Sequence, residues 1–273
     1  MAATRAVLLD LWDTTAWGEM PPEEERLTTQ LGVTEGMLYE AFERTHRYRG
    51  TGGPSTTVES LAVVVEACGV ELDRDAVRRI AEVHIAWLRR GVHLYDDTLP
   101  ALRQLRGRGV RTAIVSNCDH FTRPAVDALG LEDEVDTVLL SFEVGAMKPD
   151  APIYEEALRR LAVDADQAVF VEDQADYCEG AEALGIRASH RTRGKGSGSR
   201  KAAGHRGPAR APAASVRWTS GGRRYRSRGT PAGREPRRAR ASRRSATSPP
   251  WAADVSQRCG TRSSGLPALP RWW

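Results

Sequence analysis

The chain has 273 residues, is 40% hydrophobic and carries a formal net charge of +4. That charge is split: residues 1–189 hold 19 Lys and Arg against 34 Asp and Glu, and residues 190–273 hold 21 against 2. The second segment contains no Ile, Phe or Met, only two Leu and two Val, and 19 Gly plus Pro. Such a segment has too little apolar side chain to offset the entropy of ordering. One acidic folded domain followed by a disordered basic C-terminal tail is therefore predicted. No uncharged apolar run approaches the roughly 20 residues that cross a bilayer, so no membrane partner is expected. MAATRAVLLD is too short in its apolar part to read as a signal peptide. Cys68, Cys118, Cys178 and Cys259 share no CxxC spacing. Neither a zinc site nor a disulfide framework is indicated, and a reducing, cytoplasmic setting fits.

Val7-Leu8-Leu9 is a continuous apolar run that ends at Asp10, as in a strand buried on both faces. Residues 22–91 then read as helices only. Met37, Leu38, Ala41 and Phe42 form one stripe, with Thr34 as N-cap. Val58, Leu61, Val64, Val65 and Cys68 form a second, entered at Thr56 or Thr57 and closed by Gly69. Asp73 caps a third carrying Val77, Ile80, Ala81, His84, Ile85 and Leu88, with Gly91 just beyond its end. From residue 97 helix and strand alternate. Strands are predicted at Thr112 to Val115, Val135 to Leu140 and Ala168 to Val171. Helices follow Thr98, precede Gly130, start at Asp150-Pro152 and end at Gly185. Strands spaced by helices imply a parallel sheet with crossovers. The fold class is α/β, a Rossmann-like parallel sheet core at 1–15 and 96–189, with an inserted α-helical cap at 16–95.

Polar residues gather where the strands end, the expected ligand site of an open α/β sheet. Asp10, Ser116, Lys148 and the pair Glu172-Asp173 make a coherent chemical set. A carboxylate nucleophile such as Asp10 can take a phosphoryl group and divide one hard hydrolysis into two easier steps. Lys148 neutralises charge, and Ser116 with Asn117 can bind phosphoryl oxygens. Magnesium, an ion that prefers oxygen ligands, can be held by Asp10 and Asp173, with Glu172 and the backbone carbonyl of Trp12 as further donors. His84 and His93 read as packing or surface residues, His120 as a candidate substrate contact, and Trp87 as core.

These segments resemble the haloacid dehalogenase-like (HAD) hydrolase superfamily. VLLDLWDTT is similar to its first motif, with Asp10 at the nucleophile position and Thr14 at that of its threonine. TAIVSN resembles the second motif through Ser116, and GAMKPDAPIY the third through Lys148. VFVEDQADYCEGAEALGI resembles the fourth, with Glu172 and Asp173 on its acidic position. The resemblance covers about residues 5–188 and implies a helical cap that excludes water and selects a small phosphorylated substrate. One departure is decisive. The superfamily's phosphatases carry a second Asp two residues after the nucleophile, as the acid for the leaving group, where this chain has Trp12. An indole supplies no such proton. Asp13 could take that role, or substrates with good leaving groups could need no acid. The haloacid dehalogenases of the superfamily, which act without a metal, also have an aromatic residue there. A magnesium-dependent phosphatase is the favoured reading and a metal-independent 2-haloacid dehalogenase the alternative. A third reading is a catalytically weak binding module whose basic tail contacts nucleic acid, through runs such as RRYRSRG. The tail also has the composition of GC-rich DNA translated in a wrong frame. A frameshift near residue 188 would remove the sheet's last strand and leave its neighbour exposed.

Overall fold

A computed structural model describes residues 3–191. Strand β1 (Ala6–Leu9) is followed by β2 (Ala16–Gly18) and helices α1 (Leu27–Leu31), α2 (Glu35–Gly50), α3 (Thr57–Ala67) and α4 (Arg74–Gly91). The chain returns through β3 (Val92–Leu94) and continues with α5 (Thr98–Gly107), β4 (Arg111–Ser116), α6 (Thr122–Leu129) and α7 (Leu131–Glu134). Then come β5 (Thr137–Leu140), α8 (Ser141–Val144), α9 (Ala151–Leu161), β6 (Ala168–Glu172), α10 (Ala175–Glu182) and β7 (Arg187–His190). The main sheet has the order β5-β4-β1-β6-β7, and every neighbouring pair is parallel. The α/β Rossmann-like fold read from the sequence is the observed one.

Burial on both faces explains the apolar central strands. Leu8, Ala113, Val115, Leu139 and Phe170 meet Ile153, Tyr154, Ala157 and Leu161 of α9 on one face. On the other, Ile114, Val138 and Leu140 join α6 and the helices of the insertion in a second apolar cluster. The predicted caps of the insertion are present. Thr34 accepts from Met37 N at 3.2 Å, Thr56 from Glu59 N at 3.1 Å, and Asp73 from Ala76 N at 2.7 Å. Each such bond satisfies an amide that the first helical turn leaves open.

Three strands depart from the expectation. β2 and β3 form an antiparallel ribbon that carries the chain into and out of the helical insertion; it sits at the two ends of the 16–95 insertion, outside the 22–91 span read as helices only, where no strand was expected. β7 pairs with β6 in register from Val169↔Arg187 to Glu172↔His190. The edge strand that a frameshift near residue 188 was expected to remove is therefore present through His190. Residues 192–273, where the rest of the predicted tail falls, lie outside the described residues. Among the described residues no helix is long and apolar enough to cross a membrane.

Candidate active site

The order of the sheet brings the ends of β4, β1 and β6 side by side. The chain leaves β1 for β4 on one side and β6 on the other, so a crevice opens at their carboxyl ends. Asp10 follows β1, Ser116 ends β4 and Glu172 ends β6, and all three are buried. Asp10 N donates to Val171 O at 2.9 Å. The turn beyond it is locked from within: Thr15 and Ala16 amides both donate to Leu11 O, and Thr15 Oγ1 donates to Asp10 O at 2.9 Å. Asp13 takes a positive φ of 56° to close that turn, a conformation Asp tolerates better than most residues.

Lys148 arrives from the loop between α8 and α9. Asn117 fixes this loop by its backbone, donating from Nδ2 to Lys148 O at 2.8 Å and accepting from Lys148 N at 2.7 Å. The ammonium is thereby aimed inward, and Lys148 Nζ donates to Asp10 Oδ1 at 2.5 Å and to Glu172 Oε2 at 2.6 Å. The rings of Phe170 and Tyr177 lie 5.4 and 5.0 Å from Nζ. Glu172 is further anchored, because its Oε1 accepts the amides of Asp173 at 2.9 Å and Gln174 at 3.1 Å. Burial pulls the Lys148 ammonium down, but the two carboxylates outweigh it and hold it above its ordinary value. Ser116 Oγ, by contrast, is buried with no hydrogen-bond partner among the described residues. A buried hydroxyl left open in this way is costly.

The carboxylates outnumber their cation. Donor atoms of Asp10, Glu172 and Asp173 lie within 4.8 Å of one another. Burial, with the Glu172 charge, pushes Asp10 up to about 6 despite Lys148. Burial and the charges of Asp10, Glu172 and Asp13 push Asp173 to about 8. One lysine does not balance this set, and an all-oxygen donor group with excess negative charge fits a divalent cation. Within it Glu172 is largely engaged by Lys148 and two amides, which leaves Asp10 and Asp173 as the more available donors. The indole of Trp12 is buried and lines a small cavity beside Asn117 and α2.

A model of the haloacid dehalogenase-like hydrolases matches residues 4–185. The chain belongs to this family. As a HAD-like hydrolase it is 36% identical over 96 residues to Phosphatase MT3486 of Mycobacterium tuberculosis, a match spanning 34% of this chain and 44% of that protein. It is 28% identical over 202 residues to the glyceraldehyde 3-phosphate phosphatase of Methanopyrus kandleri, covering 70% of this chain and 85% of the relative. A HAD family enzyme of Bacteroides thetaiotaomicron, solved with magnesium and inorganic phosphate, shares the fold with a TM-score of 0.53 at 18% identity, over 71% of this chain and 98% of that one.

Of the residues picked out in this HAD-like chain, Lys148 bonds Asp10 and Glu172, Asp173 lies within 4.8 Å of both carboxylates, Asn117 holds the Lys148 backbone, and Ser116 ends the strand beside β1. His120 is tied elsewhere, its Nε2 lying 2.9 Å from Pro54 O and its ring 4.3 Å from that of Phe142. His84 is buried against Phe121 and Trp87, and burial lowers it to about 4. Sequence reasoning missed a buried pair. Arg49 of α2 donates to Asp119, which follows β4, and both side chains are 3% exposed. Ser60 of α3 donates to the same carboxylate at 3.1 Å. No local signal marks either residue, since charges on a helix and in a loop are ordinarily solvated.

Proposed function

We propose that this HAD-like hydrolase is a magnesium-dependent phosphatase of small phosphorylated metabolites, working through an aspartyl-phosphate on Asp10. The observation that carries the reading is the contact of Lys148 Nζ with both Asp10 and Glu172, in a buried cluster with one cation too few. A carboxylate oxygen of Asp10 attacks phosphorus, the bond from phosphorus to the leaving oxygen breaks, and that oxygen keeps the electron pair. Water then cleaves the acyl phosphate, releasing inorganic phosphate and restoring the carboxylate. Lys148 keeps Asp10 ionised and aimed, and Ser116 Oγ donates to a phosphoryl oxygen. A magnesium ion bound by Asp10 and Asp173, with Glu172 and the Trp12 carbonyl as further donors, would offset repulsion between carboxylate and phosphate. The helical insertion at 16–95 acts as the cap that excludes water. Trp12 leaves the departing oxygen without a protonating side chain at that position, so acyl, enol and aryl phosphates are the better substrates. The phosphatases among the relatives support this chemistry.

Trp12 also favours a second reading, in which Asp10 displaces halide from C2 of a 2-haloacid and water hydrolyses the resulting ester. A phosphate-release screen over a metabolite panel, with and without magnesium and with Asp10→Asn as control, decides between them. Magnesium-dependent release lost in D10N is expected. Halide release from a 2-haloacid that survives full chelation would overturn the phosphatase.

A further inference from the structure

The space on the insertion side of the crevice is narrow and electrically closed. The end of α2 sits on the segments that carry the site. A Cβ placed on Gly50 would fall 2.7 Å from Met147 Sδ and 3.6 Å from Cys118 O. These neighbours adjoin Lys148 and Asn117. Between α2 and residues 117–122 lies a cavity of about 40 Å³, walled by Trp12, His46, Arg49, Asn117, Asp119 and Thr122. It has room for about three waters.

Arg49 is the charged group a substrate anion would seek here, and it is already committed. Its Nη1 donates to Asp119, its Nε to Thr45 Oγ1 at 2.9 Å and its Nη2 to Phe42 O at 3.2 Å, with the Phe42 ring 4.6 Å away. Asp119 is equally engaged, accepting from Arg49, from Ser60 Oγ at 3.1 Å and from Phe121 N at 3.0 Å. Burial and the Arg49 charge pull the His46 imidazole below its ordinary value, so it adds no cation at neutral pH. The wall therefore offers hydrogen-bonding and apolar groups with its two charges cancelled. A carboxylate seated here would have to take Arg49 from Asp119 and leave that aspartate buried and unpaired.

We infer that the leaving group received by this cavity is small and uncharged, so that the substrates are phosphate esters or anhydrides of neutral small molecules and not those bearing a second phosphate or a carboxylate. This rests on the phosphatase reading above and deepens it by naming the substrate class. The test compares isopropenyl phosphate with phosphoenolpyruvate, two enol phosphates close in size of which only the second carries a carboxylate, with acetyl phosphate as a separate reporter of phosphatase chemistry. The wild-type chain with magnesium is expected to favour isopropenyl phosphate in kcat/KM on the order of 100-fold. Asp119→Asn uncouples Arg49 and should move the ratio toward phosphoenolpyruvate by at least about tenfold. Arg49→Met with Asp119→Leu removes both charges at similar volume and should keep the neutral preference within about threefold. Hydrolysis of acetyl phosphate without a preference for isopropenyl phosphate overturns the inference alone. Failure to hydrolyse acetyl phosphate overturns the phosphatase reading beneath it. Because the wild-type comparison decides by itself, an Asp119→Asn chain that fails to fold does not leave the inference untested.

Discussion

Replacing Lys148 with Met removes the one ammonium that holds Asp10 and Glu172 together while keeping the length of the side chain. The two carboxylates lie 2.5 and 2.6 Å from Nζ, and neither side chain is more than 8% exposed. Breaking a buried pair by deleting one partner costs about 3–5 kcal/mol. Glu172 retains its two amide donors, so the lower end, about 3 kcal/mol, is expected for K148M near pH 8. The variant can escape part of this cost by protonation. Asp10 already sits at about 6 with the lysine in place, and without it Asp10 rises further above its unfolded value. A raised acid adds stability that is lost as pH increases through its folded pKa, so the K148M deficit should shrink by about half near pH 5.5. Urea unfolding of the metal-free chain, followed by tryptophan fluorescence, measures this. A midpoint loss of about 1.5 M near pH 8 is expected for a slope of about 2 kcal/mol per M. A loss below about 1 kcal/mol near pH 8, or an equal loss at both pH values, would refute the assignment of Lys148 as the cation of a buried carboxylate cluster.

Magnesium should raise the thermal midpoint more near pH 7.5 than near pH 5.5, because Asp10 at about 6 and Asp173 at about 8 must give up protons to bind it. Proton release into a weakly buffered solution during titration checks the same linkage, and its absence would sink it. Trp12→Asp should raise turnover of alkyl phosphates about 100-fold while leaving aryl phosphates nearly unchanged, as expected when an acid is restored to a site that lacks one. Steady-state kinetics on the two ester types reads this directly. Gly180→Ala places a Cβ 2.6 Å from Pro149 O and 3.0 Å from Pro149 Cα. It should cost about 1–3 kcal/mol and displace Lys148. Gly107→Ala, with nothing within 4 Å of the added carbon, is the control, and equal melting temperatures for the two would count against the packing claim.

The parallel core was legible because β1, β4 and β6 are apolar runs buried on both faces, and polar residues punctuate them where the site lies. The ribbon was not, since β2 and β3 are three residues each and pair Ala16 with Leu94 across the whole insertion. β7 reads Arg-Ala-Ser-His, an edge strand without the apolar signature of its neighbours. The convergence of Asp10, Ser116, Lys148 and Glu172 followed from motif order and strand ends. The sequence reading already placed Asp173 ahead of Glu172 as a metal donor, but it did not show that Glu172 turns to Lys148 and to the amides of Asp173 and Gln174, which depends on side-chain orientation. Arg49 and Asp119 are 70 residues apart, and only the docking of α2 on the β4 end gives either a reason to be buried.

The two-stranded ribbon has a mechanical consequence. Tyr95 N and Thr98 Oγ1 both donate to Thr15 O, and Thr15 in turn holds the carbonyl of Asp10. The ribbon into and out of the helical insertion is thus rooted in the same turn that holds Asp10. Under the proposed function, a strain passed along that ribbon would reach the Asp10 backbone through one hydrogen bond, so a change in how the insertion sits and the aim of the Asp10 carboxylate would be coupled.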